Sequence, residues 1–361
     1  MPQSADEFRP ETLVAVDAVK RALTIARRSV ESEDITVKDG RDLVTVRDVA
    51  VEDAIRGMVA DALGFSVVGE ERGGEAAADG SPYWLVDPIC GTRNFASGIP
   101  LYCVNLALVE DDAITVAVVG DPSTGEMHVA ERGRGAWALK HGTRHQLTTS
   151  DGSLTIVVED GKSTGRRREQ AAQFTAAAIR ADRWDFRSLG TTLASPYLAA
   201  GRISAYVVFW VSAMHAGPGS LLVTEAGGTV SDIDGRPWTI RSDSLLASAT
   251  PGLHKELLNL ARAARTRPTK ALGPSDPAIG PDRVGAVVGH LVAGVPQSPD
   301  GRCRAEPGLA DPRDGVTTRP HALGELIDAA AAPLHPQPRR LVVARLEVAG
   351  HRLRGLSRLD F

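Results

Sequence analysis

Cysteine is scarce in this chain: Cys90, Cys103 and Cys303 are the only three in 361 residues, too few for a disulfide framework. Aromatic residues make up only 4%, within a composition heavy in Ala, Arg, Gly and Val that suits a GC-rich genome as well as any functional reading. A strong charge of either sign is also missing. The formal net charge of −4 gives no reason to expect nucleic acid or an anionic membrane as main partner. No apolar run approaches the roughly 20 residues that span a bilayer. Asp6, Glu7 and Glu11 stand where an export signal would place positive charge and then apolar residues. The expected address is therefore the cytoplasm.

An apolar share of 43% and a charged share of 24% are those of an ordinary globular protein. The length suits two modest domains, or one layered α/β unit with an appendage. Val16, Val19, Leu23 and Ala26 predict a helix over 12–28. Val51, Ile55, Met58, Val59 and Leu63 predict another over 49–63, stopped by Gly64. Strand-like runs follow at 65–68, 83–86, 104–109 and 114–119. Residues 128–137 read as an outer strand leading into a Gly-rich turn. Beyond about residue 150 come a strand at 154–158, helices at 169–179 and 192–200, a buried strand at 205–211 and a helix near 217–226. The expected organisation is an α+β half over 1–148, a second α/β half over 149–265 that completes the site, and an extension over 266–361. Pro, Gly, Asp and Arg recur without periodicity over 266–320, which reads as linker or disorder. A short helix at 322–332 and a strand at 340–348 are the only elements expected beyond it.

Two acidic segments carry the chemistry. Val67-Val68-Gly69-Glu70-Glu71 is a strand ending on paired carboxylates. Trp84-Leu85-Val86-Asp87-Pro88-Ile89-Cys90-Gly91-Thr92-Arg93-Asn94-Phe95 reads as a strand turning at Asp-Pro. Gly91 lets the backbone come close to a ligand, and the amides beyond it point outwards as in loops that cradle phosphate.

In these motifs the chain resembles the inositol monophosphatase family. That family carries Gly-Glu-Glu, then Asp-Pro-Ile-Asp-Gly-Thr-x-Asn-Phe, then Trp-Asp-x-Ala-x-Gly ahead of a Glu-Ala-Gly-Gly helix end. Asp42-Leu43-Val44-Thr45-Val46-Arg47-Asp48, Gly125-Glu126-Met127, Arg132 to Ala136, and Leu221 to Gly228 match further family segments in order. The resemblance spans 8–262. It implies a layered αβαβα sandwich, an active site between two α+β halves, and commonly a homodimer. It also implies Mg²⁺-assisted hydrolysis of a phosphate monoester on a small polyol, sugar or nucleotide-derived alcohol. By position, Glu70, Asp87 and the Ile89 carbonyl would hold one ion, Asp48 and Thr92 would orient the attacking water, and Gly91 with Thr92 would face the phosphate.

Two positions depart from the family. Residue 90 is Cys where the family has Asp. In the third motif, Trp210-Val211 competes with Met214-His215 for the Trp-Asp pair. An ungapped count back from Leu221 favours His215 and keeps Ala205-Tyr206 in place. Val208 and Ser204 then fall where acids are common. Exchanging two carboxylates for a thiol and an imidazole removes two hard, charged ligands that Mg²⁺ prefers.

Three readings follow. Asp87, Cys90 and His215 could converge as a mixed O, S, N set suited to Zn²⁺ or Fe²⁺. Cys90 and His215 could instead form a metal-independent thiolate–imidazole pair in a transferase or cyclase, with the Cys90 pKa lowered by free amides. Or the chain could bind phosphate esters without catalysis. Plainer accounts stand beside these. Cys103 fits a small buried hydrophobe, His128 and His141 a surface strand and a turn, and Glu71 a carboxylate behind the ligands. Arg166-Arg167-Arg168 fits a solvated helix start, and Trp84 and Trp210 fit core filling.

Overall fold

The computed structural model describes residues 8–27, 34–38, 42–76 and 79–266. The linker, helix and strand expected beyond 266 lie outside the described residues. Helix α1 (Pro10–Ala26) starts with Pro at its first position, where the missing N–H costs nothing. It buries Ala15, Ala18, Val19, Ala22, Leu23 and Ala26 on one side. Strands β1 (Ile35–Val37) and β2 (Leu43–Thr45) form an antiparallel pair that leads directly into α2 (Val46–Leu63). The Thr45 side chain accepts from the amides of Arg47 and Asp48, while Asp48 accepts from the Thr45 amide. This capping box fixes where α2 begins. Gly64, at φ 70°, ends it.

Strands β3 (Ser66–Gly69) and β4 (Tyr83–Cys90) precede the short helix α3 (Thr92–Ala96). After it come β5 (Cys103–Glu110), β6 (Ala113–Gly120), β7 (Met127–Glu131), β8 (Gly135–Lys140) and β9 (Thr143–Gln146). β3 to β9 form one sheet in sequential order, parallel between β3 and β4 and antiparallel thereafter. Two expectations need correction. β4 does not end in a turn at Asp87-Pro88 but runs on to Cys90, with its register against β5 shifting between Asp87 and Cys90. A bulge is where a sheet tolerates a proline, because the ladder there needs no N–H. The outer strand expected over 128–137 is two strands around a turn, and His128 is fully buried between sheet neighbours rather than at a surface.

The second half continues with β10 (Thr155–Glu159), α4 (Gly165–Arg180), β11 (Asp185–Arg187), α5 (Ala194–Ala199) and β12 (Ala205–Val208). It closes with α6 (Ala213–Glu225), β13 (Thr229–Ser231), β14 (Leu245–Ser248) and α7 (Pro251–Thr266). The sheet order is β11-β10-β12-β14-β13. Trp84 is fully buried, but Trp210 is 45% exposed: β12 stops at Val208, leaving Trp210 in the connection to α6.

Three apolar clusters define the layers. Residues of α1 and α2 pack on one face of the first sheet. That sheet's other face joins α5, α6 and one side of the second sheet. The second sheet's far face packs on α4 and α7. The result is the αβαβα sandwich expected from sequence, with the ends of β3 and β4 close to the start of α6.

Candidate metal centre

The site grows from strand pairing. In the parallel β3–β4 register, Gly69 lies opposite Val86, and the Glu70 amide donates to the Val86 carbonyl at 3.1 Å. Glu70 therefore follows the sheet to Asp87, close enough for the Asp87 charge to act on its carboxyl. The bulge then carries Cys90 to the end of β4. Gly91, at φ 100°, turns the chain into α3 so closely that a Cβ would meet the Leu101 carbonyl at 3.0 Å.

His215 comes from the first turn of α6. Its Nδ1 lies 2.6 Å from Asp87 Oδ2. The donor atoms of Asp87, Cys90 and His215 all fall within 4.8 Å of one another. Thr92 Oγ1 donates to the Ile89 carbonyl at 2.9 Å and faces Asp48 Oδ1 at 3.3 Å, so Asp48 and Thr92 form a pair beside the cluster. Val211, the competing register for the third motif, is instead held by its amide to the Asp243 carbonyl and is buried. Among the residues with plainer accounts, Glu71 pairs with Lys38, and Val208 and Ser204 are buried. His141 has the positive φ of a turn, 50°. Arg167 reaches Asp243 at 3.2 Å, while Arg166 and Arg168 are exposed at the start of α4.

Asn105 and Thr192 complete the arrangement and carried no motif. Asn105 Nδ2 donates to Asp87 Oδ2 at 3.1 Å and to Thr192 Oγ1 at 2.9 Å. Thr192 in turn donates to Cys90 Sγ from its hydroxyl at 3.0 Å and from its amide at 3.4 Å. One signal for Asn105 was present: an amide inside the apolar run Cys103 to Val109 must find a partner once buried. Thr192 gave none. Cys103 is fully buried, as expected.

Burial and charge set the proton inventory. Burial and the Asp87 charge push Glu70 up to about 8. Burial also lifts Asp48 to about 6, against the hydrogen bonds from Thr45. Burial opposes the Asp87 charge too, but the His215 cation and the bonds from His215 and Asn105 hold that carboxyl below its ordinary range. The same pair raises His215, whose burial alone would lower it. Cys90 is raised by its hydrogen bond with Cys103, by burial and by the Asp87 charge. The lowered thiol expected for a metal-independent nucleophile is thus corrected: the sulfur sits between a second thiol and a carboxylate, and the two Thr192 bonds do not outweigh them. Without metal, the site is an Asp87 carboxylate on a His215 imidazolium, beside a neutral Glu70 and a neutral thiol.

A divalent ion fits these residues. Asp87 Oδ1 is buried with no hydrogen-bond partner, an oxygen whose desolvation nothing yet offsets. An oxygen, sulfur and nitrogen set matches the ligand preferences of Zn²⁺ or Fe²⁺ and departs from those of Mg²⁺.

A sequence profile described as "Inositol monophosphatase family" matches residues 8–266. A curated relative named Nus factor SuhB, from Pasteurella multocida, is 32% identical over 258 residues, covering 70% of this chain and 96% of that protein. Inositol-1-monophosphatase ImpA of Mycolicibacterium smegmatis is 33% identical over 233 residues, covering 63% and 82%. Among solved structures, the extragenic suppressor protein suhB of Bartonella henselae superposes with a TM-score of 0.62 at 25% identity, covering 69% of this chain and 97% of that one.

Proposed function

The chain belongs to the inositol monophosphatase family, and from that premise we propose that it hydrolyses a small phosphorylated alcohol with one Zn²⁺ or Fe²⁺ in place of the family's Mg²⁺. Glu70, Asp87, the Ile89 carbonyl, Cys90 and His215 would hold the ion. When bound, it supplies positive charge to a phosphate oxygen and acidity to a water. Asp48 is the base: with a pKa of about 6 it is ionised at neutral pH and can accept a proton from that water. Thr92 Oγ1 keeps Asp48 aimed. Gly91 and Thr92 would present backbone amides to the phosphate. No helix among the described residues is long and apolar enough to cross a membrane; a cytoplasmic homodimer is the setting this reading assumes, and sedimentation tests the dimer.

The convergence of the Asp87, Cys90 and His215 donor atoms within 4.8 Å carries this reading. The test is phosphate release from a panel of sugar, polyol and nucleoside monophosphates with Mg²⁺, Mn²⁺, Zn²⁺ or Fe²⁺. Zn²⁺ or Fe²⁺ should support turnover best; silence with every ion on every ester would leave only phosphate-ester binding.

Metal binding itself should release protons. Glu70, Cys90 and His215 all keep their protons at neutral pH in the metal-free protein, and each must shed one to become a ligand. Titrating Zn²⁺ at pH 7 should therefore liberate about three protons per ion, and affinity should strengthen as pH rises. Calorimetry in buffers of different ionisation enthalpy counts them. A count near zero would mean that the ion sits elsewhere.

A further inference from the structure

Cys90 and Cys103 face each other as direct partners across the β4–β5 ladder. Partners in an antiparallel ladder hold their Cα atoms about 4.5–5.5 Å apart. That lies inside the roughly 4.4–6.8 Å a disulfide requires. The two sulfurs also approach one hydroxyl, Thr192 Oγ1, which is 3.0 Å from Cys90 Sγ and 3.6 Å from Cys103 Sγ. Both are free thiols. Their exposure differs: Cys90 keeps partial access to solvent, whereas Cys103 is fully buried.

We infer that Cys90 and Cys103 are an oxidation site, a cross-strand thiol pair that a hydroperoxide closes into a disulfide. Cys90, the less buried member, attacks the peroxide: the O–O bond breaks, one oxygen goes to sulfur as a sulfenic acid, and the other takes the Cys90 proton and leaves as an alcohol or water. Cys103 then attacks the sulfenic sulfur. An S–S bond forms, the S–O bond breaks, and the hydroxyl departs as water with the Cys103 proton. Two electrons pass from the thiols to the peroxide. Short cross-strand reach favours this closure over further oxidation of Cys90, and the full burial of Cys103 keeps the resolving thiol from meeting peroxide first.

The consequence rests on the metal reading given above. A disulfide sulfur has no thiolate to offer, so closure would leave Asp87 and His215 without their third donor. A bound ion would in turn shield Cys90, making the oxidised and metal-loaded forms mutually exclusive.

The experiment uses the full chain, metal-free or loaded with Zn²⁺, treated with hydrogen peroxide, alkylated and mapped by mass spectrometry. The expected product is a peptide pair joined through residues 90 and 103, formed more slowly in the loaded protein and reversed by dithiothreitol. Zn²⁺ affinity, read by competition with a chromogenic chelator, should fall by about tenfold or more on oxidation. Cys103→Ser should form no such disulfide and should instead carry Cys90 to the sulfinic acid, a loss of affinity that dithiothreitol does not reverse. Cys103→Ala serves as a second variant should the serine disturb the core. Joining of Cys90 to Cys303, or Cys90 carried to the sulfinic acid beside an alkylated Cys103, would overturn the inference. A 90–103 disulfide in a protein that never binds Zn²⁺ would uphold the pair and sink the metal reading. Zn²⁺ binding with no such disulfide would do the reverse.

Discussion

Asp87→Asn should abolish the metal centre while leaving the fold in place. Asp87 is where the site's interactions meet: Oδ2 holds His215 at 2.6 Å and Asn105 at 3.1 Å, Oδ1 is buried without a partner, and its charge raises Glu70. Loss of a partner that merely orients a ligand costs about 10–100-fold in metal affinity, so loss of this carboxylate should cost at least the upper figure, with hydrolysis falling in parallel. The protein should survive because each neighbour can adjust. With no anion beside it, burial drives His215 to shed its proton, and Glu70 relaxes toward the ordinary carboxylate range. His215 is therefore the internal check. Its ring should stay protonated above pH 6.5 in the wild type, whose pKa is raised from that value, and become neutral in the variant, as read by NMR titration.

The stability cost of that substitution has a definite pH window. A raised imidazole pKa stabilises the fold fully below 6.5, its unfolded value, and fades as pH climbs through the folded value. The lowered carboxyl of Asp87 contributes above 3.8 and is lost as pH falls through its folded value. Both contributions are present together in mildly acid solution. The difference in thermal midpoint between wild type and Asp87→Asn should thus be largest near pH 5 and shrink toward alkaline pH. A difference that grew with pH would rule out the ion pair as its cause.

How much of this was legible in the sequence depended on how local the determinant was. Helices α1 and α2 followed from apolar spacing and from punctuation at Gly64, because periodicity is a property of the chain itself. Glu70, Asp87 and Cys90 were found through ordered motifs. His215 was reached only by choosing one alignment register over another, and its position against Asp87 is what the helix start at Ser212 provides. Features that depend on a distant segment escaped. The bulge that carries β4 past Pro88 is set by pairing with β5. The direction of the Cys90 shift depends on Cys103 across the sheet, not on the amides next in sequence. The short strands β11 and β13 have too few residues to show alternation. Helix α7 did carry a readable stripe in Leu253, Leu257, Ala261 and Ala264, all buried against the second sheet, though no element was expected there. Trp210 was assigned to the core for its size, but its strand ends two residues earlier.

Returning carboxylates to both altered positions should move the centre back toward magnesium. In the double variant Cys90→Asp with His215→Asp, four carboxylates would surround the Ile89 carbonyl, a hard, all-oxygen set. Mg²⁺-supported turnover should rise on the order of 10–100-fold, the scale on which ligand shells tune metal centres, while Zn²⁺-supported turnover declines as sulfur and nitrogen are withdrawn. The substitution carries a cost that can itself be read. Without an imidazolium to offset them, the clustered carboxylates repel, so the metal-free variant should melt below wild type. Because only the folded state gathers the ligands, saturating Mg²⁺ should then recover the midpoint in proportion to its occupancy, by about 2.7 kcal/mol at a hundredfold excess over Kd. A variant that melts low, ignores Mg²⁺ in both assays and keeps its Zn²⁺-dependent activity would show that residues 90 and 215 do not select the ion, and would place the working centre on other ligands.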